Sequence, residues 1–595
     1  MFLAAANPYR LRERNNNEGI IHPSAKTLLS HMVNPIPENI LDYVWDYGVL
    51  EQSVEKTYIW GMVDSKRVFQ DAELKKIFVE CISIGQRTMR TVEEGDNSSV
   101  SLRDLQRTMK ICKFFQKFLK ERVAPSEDIL TLLGNFSYWK YKKNPLLDDL
   151  ERSARSIILT LAICYLFRLC NKENKEMLIE KFISVINSNL KSSKKVFTVE
   201  WAIQTINDEQ DDYLYRIKGV NKLPNDIAMN RSLKENVLTI LVCILNKIPL
   251  FICGKPGSSK TQSFQILKNV MKGVSIDETL FSELPEINES YYQGTLHSTS
   301  QGIENLFRKA KQNARDNENS NILTVFFFDE IGLAEISKNN PLKVLHNLLE
   351  EKDMLVAFVG ISNWTLDASK MNRAVYLARW DLDKTDLLEI CEQFGTLNQN
   401  LLKTNPHMIK TRYPSEENKL QGDNLFSKFK DIISETYLQF REYQTSDYLH
   451  KNFHGTRDFY SLIKFLYRNV KFPRSAKQIG REHSSGQKNR IQRDKVRRLL
   501  FVLKWAFERN FSGGFDVKNQ SSEIVIKQMF LNNLSKQTGQ DIEDFGVDRE
   551  DFLKIEGKLD IVNNLLTLSL WILFFCPLEC SLPICLALLG NFTFL

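Results

Sequence analysis

The 595-residue chain contains no Cys-x-x-Cys pair, no Cys/His ladder and no His-Glu-x-x-His string. Its ten cysteines are scattered, mostly in apolar surroundings, which excludes a disulfide scaffold or a zinc module and fits reduced thiols in the cytosol. The eight histidines are dispersed, and His346 and His454 read as structural. No secretory signal opens the sequence. Charge of one sign is also scarce: 80 Lys/Arg against 73 Asp/Glu leave +7. Even that surplus is local, because Arg468 to Arg498 alone holds eleven Lys/Arg against Glu482 and Asp494. Without interleaved aromatics, such a run reads as a solvated basic linker, and nucleic acid is disfavoured as a partner. The longest nearly apolar stretch is Leu565–Leu595, where Pro577, Glu579 and Pro583 break it into short pieces. A buried strand–helix piece is preferred there over a bilayer span, and membrane association stays open.

What is present is globular. The hydrophobic share of 43% and charged share of 26% are ordinary, and the length calls for two or three domains. The apolar run Pro249–Cys253 leads into Gly254, Lys255, Pro256, Gly257, Ser258, Ser259, Lys260 and Thr261, and a helical stretch from Gln262 to Val270 follows. A loop of small residues between a buried strand and a helix turns tightly enough to aim its amide N–H groups and the positive helix end at phosphate oxygens. Lys260 is placed for the β- and γ-phosphates, and the Thr261 hydroxyl for Mg²⁺. Ser259 stands where the phosphate-loop pattern has its second glycine. It is tolerable if its backbone avoids the left-handed region.

Ile322 to Phe328, rich in β-branched and aromatic residues, predicts a central parallel strand buried on both faces, ending in Asp329 and Glu330. Adjacent carboxylates at such a tip are costly unless they act. Asp329 suits a Mg²⁺ held through water, and Glu330 suits polarising an attacking water. A further strand, Leu355 to Ser362, ends in Asn363, the position that contacts the γ-phosphate or the water in AAA+ ATPases. Between them Pro341–Glu350 predicts a helix with Leu342, Leu345, Leu348 and Leu349 on one face. Loop, acidic strand, amphipathic helix and polar-tipped strand in this order give the fold class: α/β, a P-loop AAA+ sheet with helices on both faces and a helical lid.

Phe328–Glu335, Pro341–His346, Gly360–Trp364 and Lys370–Arg373, together with the phosphate loop including Ser259, resemble the mysterin family. That family consists of giant cytosolic proteins joining a dynein-like core of AAA+ units to a RING-type ubiquitin ligase. The resemblance runs through most of residues 1–470 and is densest over 226–380. It implies an ATP hydrolase with ATP and Mg²⁺ as cofactors, a cytoplasmic location, and tandem AAA+ units of the same parent chain as partners. Ubiquitin-pathway partners are implied only through a full-length parent, since the zinc modules have no residues here.

An internal echo points the same way. Phe2–Asn7 resembles Phe358–Asn363, and Ser101–Leu105 resembles Gly455–Phe459; Asn7 to Arg103 is 96 positions, and Asn363 to Arg457 is 94. Residues 1–125 then read as the rear part of a preceding AAA+ unit, 126–225 as a helical lid or connector, and 226–384 as the large subdomain with the ATP site. The expected remainder is a helical lid at 385–470, a basic linker at 471–500, and a helical segment with the apolar tail at 501–595. Arg457 falls at the sensor 2 position of its own unit. Arg103 reads as an Asp104 partner or a helix cap. Arg373 is expected to reach into a neighbouring unit's site, with Arg379 as the alternative. A nucleotide-binding scaffold that does not hydrolyse, and a nucleic-acid-dependent motor, remain the competing functions.

Overall fold

The computed structural model describes residues 38–45, 51–92, 100–121, 149–169, 171–190, 195–219, 227–272, 284–351, 354–379, 382–392, 417–446, 454–469, 500, 502–511 and 522–538. The segments expected at Phe2–Asn7, in the basic run 470–498 and in the apolar tail lie outside these residues. The chain divides into two compact units, one of residues 1–404 with 444–460, the other of 405–443 with 461–595.

In the first unit, the described helices ahead of the sheet begin with α1 Gln52–Ser65, α2 Ala72–Val92, α3 Leu102–Glu121, α4 Asp149–Cys164, α5 Lys172–Asn189 and α6 Val199–Gly219. α7, Arg231–Leu245, starts after Asn230, whose side chain accepts from the Leu233 amide and caps the helix. Five parallel strands follow, β1 Leu250–Gly254, β2 Glu286–Gln293, β3 Ile322–Asp329, β4 Ala357–Ser362 and β5 Val375–Arg379, in the order β2-β3-β4-β1-β5. α8, Lys260–Val270, leaves the phosphate loop, and α9, Ser300–Asp316, is capped by Thr299.

The two-faced burial of the central strands is explicit. Val325 and Phe327 of β3 point into a core shared with α7, α8 and helices α1 to α6, where Phe327 stacks on Phe264 at 4.2 Å. Phe326 and Phe328 point the other way, against Phe251, Phe358, Ile303 and Phe307. Alternation of period two within an all-apolar run puts bulk on both sides of the sheet. The helix expected over Pro341–Glu350 is shorter than its pattern: a 3₁₀ turn, Pro341–Val344, and one α turn, Leu345–Leu348 (α11, after α10, Ile331–Glu335). Leu342, Leu345 and Leu349 are nevertheless buried on one side.

α12, Ala368–Met371, lies between β4 and β5, and past the sheet comes a helical stretch at 384–392. α13, Glu417–Ser446, comes next, then α14, Thr456–Asn469, and α15, Ser522–Thr538. In the second unit Phe530 of α15 packs on Phe429 and Phe507, and Asn533 donates to the Thr436 hydroxyl at 3.2 Å. None of the described helices is long and apolar enough to cross a membrane.

The cap at the start of α3 has a counterpart at the start of α14. Asp104 accepts from the Ser101 amide at 2.8 Å, and Asp458 accepts from the Gly455 amide at 2.8 Å. In each helix an arginine, Arg103 or Arg457, precedes the capping aspartate. Of the two roles expected for Arg103, the pairing with Asp104 is corrected: Arg103 pairs with Glu350 at 2.8 Å, and the arginine paired with Asp104 is Arg107. Arg107 also donates to the carbonyls of Asn372 and Ala374.

Candidate functional site

β1, β4 and β3 are neighbours in the sheet, so the loop after β1, Asn363 after β4 and the Asp329–Glu330 pair after β3 emerge side by side. Side chains join them. The Lys260 ammonium donates to the Gly254 carbonyl at 2.5 Å, the Lys255 carbonyl at 3.0 Å and the Asn363 carboxamide oxygen at 3.2 Å. Asn363 passes the connection on, its amide donating to Glu330 at 2.8 Å. The Glu330 backbone amide donates to the Asp329 carboxylate at 3.0 Å.

Lys260 is buried at the N-terminus of α8, and among the described residues no carboxylate lies within ion-pair distance of it. Burial pulls its pKa down to about 8, with Cys253, Glu330 and Asp329 opposing that fall and Arg457 adding to it. A buried cation satisfied only by neutral oxygens is costly, and an anion is the partner that would offset the cost. Burial also raises the pKa of Asp329, partly countered by the Glu330 amide and Lys260.

Two backbone positions carry strain. Ser259 has φ 57° and ψ 20°, inside the left-handed region, so the condition for a tolerable serine is not met. A non-glycine residue there costs about 1–2 kcal/mol. Glu330 is left-handed as well, with φ 51° and ψ 38°. Its conformation is braced by Gly294, whose amide donates to the Asp329 carbonyl at 2.8 Å and on which a Cβ would come within 2.2 Å of the Glu330 carbonyl. Such outliers concentrate where function fixes the backbone.

Gly257, at φ 93°, lies against the start of α14: a Cβ on it would fall 2.9 Å from Thr456 Cβ and 3.1 Å from the Arg457 amide nitrogen. Arg457 is exposed beside the loop. Tyr460, one turn along α14, accepts from the Asn230 side chain, and its hydroxyl also meets Ser259. Thr261, second residue of α8, is exposed, as is Pro256, while Ser258 is buried and turns its hydroxyl to the Lys255 carbonyl at 2.9 Å.

The other arginines sit apart from this cluster. Arg373 Nε is 3.0 Å from the Glu350 carboxylate, the same carboxylate that Arg103 holds. Arg379, the alternative for a reaching arginine, is 4% exposed and folded into its own domain, bonded to Glu235 and to Asn236. His346 is kept neutral by burial and by the nearby Arg373 and Lys370, in keeping with a structural role. The described cysteines form no disulfides and are all buried; burial pushes Cys112, Cys164 and Cys253 up to about 12, leaving those thiols inert. Sequence reasoning missed Asn236, Tyr460 and Gly294. No pattern singles out Asn236, because Arg231, Ser232, Lys234 and Glu235 make the first turns of α7 polar as well.

Residues that fit Mg²⁺ and a triphosphate are present. Glycines at 254 and 257 leave the loop no room for a Cβ, the buried Lys260 ammonium reaches Asn363 at a strand tip, and an exposed hydroxyl at Thr261 and a half-buried carboxylate at Asp329 supply hard oxygen donors. Residues 226–386 match the family described as the RNF213 AAA domain. The chain is 32% identical over 457 residues to E3 ubiquitin-protein ligase rnf213-beta of Danio rerio, covering 74% of this chain and 8% of that protein. It is 31% identical over 455 residues to E3 ubiquitin-protein ligase RNF213 of Homo sapiens, covering 74% and 8%, and 30% identical over 499 residues to that of Mus musculus, covering 79% and 9%. The chain thus spans under a tenth of the length of the curated relatives it matches. With the parallel sheet and the loop–strand–strand cluster it carries, the chain belongs to the mysterin, or RNF213, family, and residues 226–386 are an AAA domain of that family.

Proposed function

We propose that this AAA domain binds MgATP and hydrolyses it by in-line attack of water, using the energy for conformational change within a tandem AAA+ core. The observation that carries the reading is the buried Lys260 ammonium, bonded only to neutral oxygens at a helix N-terminus. Lys260 and the amides of Gly254, Lys255, Pro256-flanked Gly257, Ser258, Ser259 and Thr261 would hold the phosphates, and Thr261 and Asp329 would hold Mg²⁺. The metal's contribution is to neutralise charge developing on phosphoryl oxygens. Glu330 accepts a proton from the attacking water, and Asn363, already bonded to Glu330, orients both.

Arg457, exposed next to Gly257, is the arginine we assign to the γ-phosphate of its own site. Arg373 is the arginine we assign to a neighbouring unit's site. Arg379 is already committed to buried partners, whereas Arg373 holds the half-exposed Glu350 carboxylate, shared with Arg103, and the Ser369 carbonyl of its own turn. Tandem AAA+ units are the proposed partners, in the cytoplasm, within a ubiquitin ligase such as the relatives are named to be.

A scaffold that binds nucleotide without turnover is the competing reading, and the Asn363–Glu330 bond, which engages the carboxylate, gives it a footing. Single-turnover phosphate release, compared between the unaltered chain and Glu330→Gln, separates the two. Hydrolysis predicts a fall of about 10²-fold or more in the variant with binding retained. Equal release rates would sink it.

A further inference from the structure

The phosphate loop is held from beneath by polar side chains that belong to no catalytic role. Asn236, fully buried on α7, donates its side-chain amide to the Ser258 carbonyl at 3.1 Å. Arg379, at the end of β5, donates from Nε to the Asn236 oxygen at 2.6 Å, which fixes which end of the carboxamide faces the loop. The backbone of the same arginine lies flat against the loop's first glycine: Gly254 pairs with Arg379 in the sheet, and a Cβ on it would lie 2.3 Å from the Arg379 carbonyl. Arg379 therefore touches the loop at both ends, directly at Gly254 and through Asn236 at Ser258.

The other arm of that guanidinium ends on Glu235, which is buried. Glu235 also accepts from Lys175 of α5 at 3.3 Å, and Arg231 stands 3.9 Å away. Burial opposes ionisation of Glu235, but Lys175, Arg379 and Arg231 together keep its pKa below the usual range. Lys175 comes from the helical array ahead of the sheet, roughly sixty residues before its partner. The path Lys175–Glu235–Arg379–Asn236–Ser258 is continuous and buried at every step after its first residue.

We propose that Arg379 is a positioning residue for the phosphate loop, and that Lys175 lets the preceding helical array bias the loop's shape through the carboxylate it shares with Arg379. This rests on the nucleotide-site reading for its functional consequence, but the geometry it asserts exists without nucleotide. Removing Lys175 leaves Glu235 leaning wholly on Arg379 and Arg231, which pulls the guanidinium toward the carboxylate and away from Asn236. Weakening the Asn236 link frees the Ser258 carbonyl to turn, and with it the amides that follow.

The test uses the whole chain with Lys175→Met, Asn236→Ala and Arg379→Lys, the last keeping the charge at Glu235 while losing the Nε bond. In nucleotide-free protein, hydrogen exchange over residues 254–265 is expected to speed up about fivefold or more in all three, with exchange in α9 unchanged. Binding of an unhydrolysed MgATP analogue is expected to weaken about five- to tenfold in Lys175→Met, and the Lys175→Met/Asn236→Ala double variant to be no weaker than Asn236→Ala alone. Unchanged loop exchange in Lys175→Met, or multiplying losses in the double variant, would overturn the proposal. Should the unaltered chain fail to bind the analogue while loop exchange still responds to Lys175→Met, the nucleotide reading fails and the relay stands.

Discussion

At the scale of single residues, two groups are held in states that the rest of the structure must offset. Ser259 occupies a left-handed backbone position that glycine fills freely. Replacing it with Gly should remove about 1–2 kcal/mol of strain, partly offset by the lost contact with Tyr460 and by greater freedom of the unfolded chain. The expected outcome is a modest rise in the urea midpoint, and a fall of more than about 1 kcal/mol would contradict it. Lys260 titrates at about 8 rather than at the ordinary 10.5. Its folded value is the lower one, so folding releases a proton between these limits and stability gains with rising pH there. Nucleotide affinity runs the opposite way. A bound phosphate requires the ammonium, so affinity should be flat below about pH 8 and fall by up to about tenfold per unit above it. A titration series from pH 6.5 to 9.5 with an unhydrolysed analogue, a range of roughly the width such linkage needs, would check the slope.

At the scale of elements, β3 carries both halves of its fate in one string. Phe327 fills the face shared with α7 and α8, so Phe327→Ala should cost about 3–5 kcal/mol, seen as a lowered midpoint and faster exchange across β3 and β4. Substituting Asp458 by Ala removes the carboxylate that accepts the Gly455 amide and should loosen the first turn of α14, costing about 1 kcal/mol. The strands were legible in the sequence because a continuous apolar run bounded by turn residues has few other solutions. The loop, the acidic tip and Asn363 were legible because their residue types and spacing are tied to phosphate and metal chemistry. The Pro341–Leu348 segment was less so: its apolar spacing fits a helix, but Pro341 and the left-handed Asn340 before it leave room for only a 3₁₀ turn and one α turn. What the sequence could not supply were contacts between distant positions. Arg379 looked like a candidate for a neighbouring site, and only the adjacency of β5 to β1 shows its guanidinium spent on Glu235 and Asn236. Arg103 was paired with the wrong carboxylate for the same reason, since Glu350 lies far along the chain.

At the scale of the molecule, the helices ahead of the sheet and one face of the sheet share a continuous core, so the first unit is built as one body around the nucleotide-site strands. The matched caps of α3 and α14, each with an arginine ahead of the capping aspartate, support our reading that an AAA+ unit is repeated along the chain. If so, Arg107, partly buried and bonded to the Asn372 and Ala374 carbonyls, joins the earlier lid helix to the strand that carries Arg379. Arg107→Met should then lower the midpoint of the first unit by about 3 kcal/mol equivalent, with Arg103→Met, whose partner is half exposed, costing under about 1 kcal/mol. Everything functional converges on whether one magnesium-bound nucleotide sits against Lys260, Asp329 and Asn363 together. Calorimetric titration of an unhydrolysed MgATP analogue into the unaltered chain and Lys260→Ala tests this most directly. The account predicts saturable binding that weakens about 100-fold or more in the variant while its thermal midpoint stays within a few degrees. Equal binding by both proteins would contradict it.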